Sequence, residues 1–78
     1  MRATVVVRPK QGILDPQGEA VQGSLRKLGF DVSSVRVGRV IDLELADGHD
    51  LRAQVERMCA ELLANPLIES FEIHLEGR

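Results

Sequence analysis

The chain has one cysteine, no tryptophan and no tyrosine, and its two phenylalanines are the only aromatic residues besides histidine. A single cysteine excludes an internal disulfide and fits the reducing cytoplasm. A structural zinc site would need about four ligands, and Cys59, His49 and His74 are widely spaced. With so few aromatic rings, a surface that stacks bases is excluded. Ten Lys and Arg against twelve Asp and Glu leave a net charge of −2, so the basic excess of a nucleic-acid binder is missing as well. No apolar run approaches the roughly 18 residues of a membrane span, and Met1–Lys10 lacks the apolar core of an export signal. Neither nucleic acid nor a membrane is expected as a partner.

What is present is a globular balance, 44% hydrophobic and 28% charged over 78 residues, read as one domain spanning residues 1–78. A chain this short buries only about 60% of its unfolded surface. Apolar burial then barely exceeds the entropy lost on ordering. With disulfide and zinc excluded, self-association is the remaining supplement, so a homo-oligomer or a subunit of a larger assembly is expected.

Ala3–Arg8 reads as a strand around Val5, Val6 and Val7. Pro9, Gly12 and Pro16 break it. Asp15 and Pro16 start a helix as N-cap and first helical residue, Val21, Leu25 and Leu28 form its apolar stripe, and Gly29 stops it. Gly23 inside that helix suggests close packing. A second β region runs from Val32 to Leu45, with Val35, Val37, Ile41, Leu43 and Leu45 on one face. Gly38–Arg39 interrupts it, so it is either one bent strand or a hairpin. Asp47 or Asp50 can cap the next helix, whose stripe is Leu51, Val55, Met58 and Leu62 with Cys59 and Leu63 beside it. Asn65–Pro66 ends it. Ile68–Leu75 is the last strand, with Phe71, Ile73 and Leu75 inward. The fold class expected is α+β: a two-layer sandwich, β-α-β(β)-α-β, with a mostly antiparallel sheet of three to four strands and both helices on one face. The other face carries Thr4, Val6, Arg36, Asp42, Glu44, Glu72 and His74.

Catalytic chemistry is scarce. Cys59 lies in an apolar stripe and reads as core. Glu72, His74 and Glu76 share a strand face that reads as solvated. The segment around Lys10–Asp15 is no phosphate-binding loop, lacking the G-x-x-x-x-G-K-[ST] pattern. Arg39 falls on an apolar parity and needs a carboxylate, a phosphate or an interface.

Four blocks carry a resemblance. Gly12-Ile13-Leu14-Asp15-Pro16-Gln17-Gly18 followed by Ala20-Val21 resembles G-V-L-D-P-Q-G-x-A-V. Leu28-Gly29-Phe30 matches L-G-F, and Val35-Arg36-Val37-Gly38-Arg39 matches V-R-x-G-K. Met58-Cys59 with Leu62 to Glu69 is similar to M-C-x-x-L-L-A-N-P-V-I-E. These are the blocks of the PurS small subunit of phosphoribosylformylglycinamidine synthase, in order and over nearly the whole chain. Departures are Ile13 for Val, Arg39 for Lys, Leu67 for Val and Phe71 for Tyr.

The resemblance implies a subunit without catalytic residues and without a bound cofactor, in a cytoplasmic ligase complex of purine biosynthesis. That complex converts formylglycinamide ribonucleotide, glutamine and ATP to formylglycinamidine ribonucleotide, using ATP and magnesium held elsewhere. The implied partners are the large synthetase subunit, the glutaminase subunit, and further copies of the chain as a dimer or tetramer. The small subunit would bridge the other two and assist ammonia transfer. Candidate partner-contact residues are Asp15, Gln17, Arg36, Arg39, Asn65 and Glu69. No catalytic or metal-ligating residue is expected. The alternative reading is an oligomeric ferredoxin-like module that binds a small regulatory molecule.

Overall fold

A computed structural model describes residues 1–76; residues 77 and 78 of the expected domain lie outside the described residues. Strand β1 (Arg2–Pro9) is the centre of an antiparallel three-stranded sheet, flanked by β2 (Arg39–Glu44) and β3 (Glu69–Glu76). Val5 pairs with Ile41 on one side and Ile73 on the other. That register puts Ala3, Val5 and Val7 on one face, fully buried, with Ile41, Leu43, Phe71, Ile73 and Leu75 packed around them. The α+β class and the antiparallel sheet are those expected from the alternating pattern.

Helix α2 (Leu51–Met58) covers that face through Val55 and runs into a π-helical turn, Cys59–Leu63. Its closing bond runs from the Ala64 amide to the Cys59 carbonyl, 3.0 Å. The wider turn changes the phase of the stripe. Leu63 and Ala64 turn inward, whereas Leu62, expected on the apolar stripe, is 83% exposed. Asp50 takes the N-cap position in a left-handed conformation (φ 55°) without a side-chain cap bond, so neither Asp47 nor Asp50 caps as expected.

Helix α1 (Pro16–Lys27) begins after a Lys10–Ile13 turn, in which Gly12 has φ 81° and the Ile13 amide donates to the Lys10 carbonyl. It ends in a Schellman motif. Gly29 has φ 98°, its amide donates to Arg26, and the Phe30 amide donates to Leu25. Helix α1 does not lie on the sheet face where it was expected. It makes no substantial contact with any strand of its own chain, so only α2 covers the sheet. Leu28 and Phe30 are largely exposed. The helix packs instead on the segment 32–38, which leaves β2 without turning back. That segment is neither a hairpin partner nor a fourth strand, and Arg36 lies on it rather than on the outer sheet face. Together α1 and 32–38 form an arm beyond the end of the sheet. The molecule is 50 Å long with a radius of gyration of 15.8 Å, against about 11.5 Å for a compact chain of this length.

Two glycines hold the base of the arm. A Cβ on Gly18 would lie 2.2 Å from the Val35 carbonyl oxygen, and one on Gly38 would lie 2.3 Å from that of Val7. Gly23, expected to mark close packing, has nothing within 4 Å of its Cβ position. Gly18→Ala and Gly38→Ala should therefore each destabilise by about 1–3 kcal/mol. Gly23→Ala should stabilise by up to about 1 kcal/mol through helix propensity. Urea midpoints of the three variants check both signs.

Candidate functional site

The six candidate contact residues converge on one end of the sheet, where β1 leaves and β2 and β3 enter. Pro9 pairs with Glu69, and Val7 with Arg39. Asp15, Gln17, Arg39 and Glu69 line a cleft of about 490 Å³ with Leu14 and Ile68. Asp15 and Arg36 line a neighbouring cleft of about 410 Å³ on the other side of the Gln11–Asp15 loop. Asn65 joins the first group through its backbone.

Arg39 is the hub. Its guanidinium donates to both Glu69 carboxylate oxygens, at 2.8 and 3.2 Å, and to the Leu63 carbonyl at 2.6 Å. That carbonyl lies in the last turn of the helical segment, where no further turn follows to supply it with an amide partner. Glu69 also accepts from the Asn65 amide at 2.7 Å, and the Asn65 side chain accepts from the Leu67 amide at 3.1 Å. The out-of-phase arginine thus binds a carboxylate of its own chain. The Arg39 side chain bonds and the Asn65 amide hold the Glu69 carboxyl below its usual value, and Glu69 raises Arg39.

Asp15 behaves differently from the cap it resembles. It sits at the N-cap position but makes no cap hydrogen bond to α1. Its Oδ2 instead accepts from the Val37 amide, 2.8 Å away, across the base of the arm. That amide lowers the Asp15 pKa against the opposing effect of burial, with smaller help from the Gly18 and Gln17 amides and the Arg36 charge. Gln22 donates to the Val32 and Ser33 carbonyls and fixes the other end of the same segment. Gln22 and Gly18 were not singled out from the sequence. Gly18 lies inside the D-P-Q-G block, and that was its only signal. Gln17 and Arg36 are exposed, and neither side chain makes a hydrogen bond or ion pair among the described residues.

Elsewhere the chemistry is quiet. Cys59 is fully buried, and burial raises its thiol pKa, with Glu56 adding to the effect. His74 contacts Glu72 at 3.3 Å on the outer sheet face, where Glu72 also takes Arg8. Among the described residues, no cluster of His, Cys, Asp or Glu is placed to hold a metal, and no buried side-chain polar atom lacks a partner.

A small α+β chain whose buried polar side-chain atoms all have partners among the described residues, and whose outstretched helix leaves apolar surface uncovered, is an assembly subunit in class. The comparisons with known proteins specify which. The family model for PurS, phosphoribosylformylglycinamidine (FGAM) synthase, matches residues 2–77, and the chain belongs to that family. It is 48% identical to the PurS subunit of the synthase from Synechocystis sp. over 82 aligned residues, covering 97% of this chain and 80% of the relative. It is 38% identical to that of Methanocaldococcus jannaschii, covering 96% and 94%. A solved Bacillus subtilis PurS chain superposes with a TM-score of 0.91 at 37% identity, covering 97% and 98%. A chain in the solved PurLQS structure from Thermotoga maritima gives 0.78 at 32% identity, covering 94% and 93%. A score of 0.91 over nearly the whole chain requires the arm to stand out from the sheet in the B. subtilis structure too.

Glu69 and Asp15 both have lowered pKa values in the fold. Their contribution to stability is complete above the ordinary carboxylate range, near pH 4.5 for Glu69. It is lost as pH falls through the lower folded-state values. Stability should therefore hold from neutral pH down to about 4.5 and decline below it. Glu69→Gln should flatten that decline while lowering the urea midpoint at neutral pH. Urea titrations of both proteins across that range provide the check.

Proposed function

We propose that this chain is the non-catalytic bridging subunit of FGAM synthase, joining the glutaminase to the large synthetase subunit so that ammonia released by one reaches the other. Membership of the PurS family carries this reading, and the T. maritima PurLQS structure, which contains a close structural relative, supports it. Ammonia must pass without being lost to, or protonated in, bulk water, so the junction has to be tight and dry. A chain without reactive groups and with spare apolar surface suits that task. ATP and magnesium belong to the large subunit in this scheme, and the complex works in the cytoplasm. Among the described residues no helix is long and apolar enough to cross a membrane. We favour this reading over the alternative, a module binding a small regulatory molecule, because the family match covers residues 2–77.

The contact residues are those left free by the fold. Arg39, Glu69, Asn65 and Asp15 are engaged inside the chain, which leaves Arg36 and Gln17 to meet a partner. Self-association belongs to the same reading. The chain exposes 5827 Å², about 1,100 Å² more than a compact chain of its mass. Two copies that each hid that excess would bury about 2,200 Å², the range of obligate homodimers.

Glutamine-driven amidination by the two large subunits, with and without this chain and beside an ammonia-driven control, tests the function. The chain should be inert alone and restore glutamine-driven turnover, leaving the ammonia-driven rate unchanged. No effect and no co-elution with either partner would overturn the reading. Arg36→Glu should weaken co-elution and leave the urea midpoint near that of the parent. Arg39→Glu should lower the midpoint.

A further inference from the structure

Strand β3 is an edge of the sheet, with β1 on one side and no strand described on the other. The Lys10 amide donates to the Ile68 carbonyl at 2.9 Å, which makes Lys10 and Ile68 a hydrogen-bonded pair at the end of the ladder. Alternation along the strand then gives Ser70, Glu72, His74 and Glu76 the bonds to β1. The amides and carbonyls of Phe71, Ile73 and Leu75 point to the open side. Arg52 confirms that direction by donating to the Ile73 carbonyl from outside the sheet, at 3.4 Å. A carbonyl accepts two bonds, so Ile73 keeps a site beside that arginine. Edge strands are usually guarded by shortness, a proline, a lysine or a bulge. None of these guards β3. It runs 8 residues as E-S-F-E-I-H-L-E, against a mean of about 5–6 for strands, and its register with β1 is unbroken. Phe71, Ile73 and Leu75 on its inner face are only partly buried, and Ser70, Glu72, His74 and Glu76 on its outer face are exposed.

Resting on the self-association proposed above, we infer that two copies pair their β3 strands edge to edge, antiparallel, about a two-fold axis through Ile73. The partner is a second copy because the strand is complementary to itself in this one register. About Ile73, Phe71 faces Leu75 of the second copy and Ile73 faces its own counterpart, which joins the two inner faces into one apolar layer. These are the residues whose backbone groups point outward, so each such pair exchanges two backbone bonds. On the outer face Glu72 falls opposite His74 of the second copy, and His74 opposite its Glu72. Within one chain the same two side chains already meet at 3.3 Å, so the pairing sets acid against base on both sides of the axis. Charge also excludes the neighbouring registers. A slip by one pair toward the start of the strand sets Glu72 against Glu72, and a slip toward its end sets Glu72 against Glu76, twice. Like charges directly opposite destabilise a sheet, so the central register is selected.

The same register sets Ser70 opposite Glu76 of the second copy, and both are exposed. Within one chain they lie about 20 Å apart along an extended strand, too far for a disulfide. Ser70→Cys and Glu76→Cys chains are prepared separately, mixed and mildly oxidised, with Cys59 buried and out of reach. Light scattering follows the unmodified chain, His74→Glu and the charge-exchanged double variant Glu72→Lys with His74→Glu. Urea midpoints confirm that each variant is folded. Pairing through β3 predicts a disulfide between the Ser70→Cys and Glu76→Cys chains. It also predicts a mass that His74→Glu halves, by setting Glu against Glu, and that the double variant restores. The inference needs both results, and either one missing overturns it. A Ser70→Cys chain that links mainly to itself shows another register and overturns it as well. If the mass exceeds that of a monomer but neither result is found, self-association stands through another surface and pairing through β3 fails. A monomer at all concentrations overturns both.

Discussion

The fork of Arg39 closing on Glu69 holds three parts of the chain in register: the first residue of β2, the first residue of β3, and the carbonyl of Leu63 where the helical segment ends. The pair is about half exposed on the arginine side, so its net contribution to stability is modest. Its effect is geometric. A planar guanidinium can hold two carboxylate oxygens and a carbonyl in fixed directions, which an ammonium cannot do. With Glu69 also taking the Asn65 amide, the loop between α2 and β3 is tied to the start of both edge strands, and Leu62 and Leu67 stand outward from it.

At the same end of the sheet a second set of bonds does the opposite of closing the fold. Asp15 reaches to Val37, and Gly18 admits the Val35 carbonyl, so α1 and segment 32–38 adhere to each other and not to the sheet. A chain of 78 residues has little apolar area to spare, and this one leaves the stripe of one of its two helices outside. Under the self-association proposed above, that stripe is the surface a second copy would cover, and stability would then depend on protein concentration.

Alternation placed β1, β3 and the Arg39–Glu44 part of β2 with their inward residues, though it carried the second strand back through Val35 and Val37, which lie on the arm, and the stripe of α2 placed Val55 and Cys59, because those signals depend only on which side of an element is apolar. Gly12 and Gly29 were readable for a similar reason: each is required by its own local turn. Other features had no local signal. An extra residue in the π-helical turn moved Leu63 and Ala64 inward and Leu62 outward, and periodicity assumes an unbroken turn. Asp15 is an ideal cap by residue type, yet its acceptor oxygen serves an amide 22 positions away. The stripe of α1 stated correctly that a face must be covered. Nothing in a stripe says whether the cover comes from the same molecule. Arg39 was conspicuous by its parity, but Glu69 and Leu63 as its partners needed the folded chain.

The same facts separate holding from reacting. Catalysis needs a polar group that keeps an unmet preference until substrate arrives, such as a base without its proton or a donor aimed at empty space. Here Glu69, Asp15 and Arg39 have their preferences met inside the chain, and Cys59 is buried where the thiolate is disfavoured. What remains unmet is apolar: Leu14, Leu28, Phe30, Leu62 and Leu67, all more than half exposed. Unmet apolar surface drives association and has no preference for bond making or breaking. A chain with its buried polar groups partnered internally and these hydrophobic side chains outward is therefore suited to joining proteins together, and the end held by Arg39, Glu69 and Asn65 offers them an internally bonded junction.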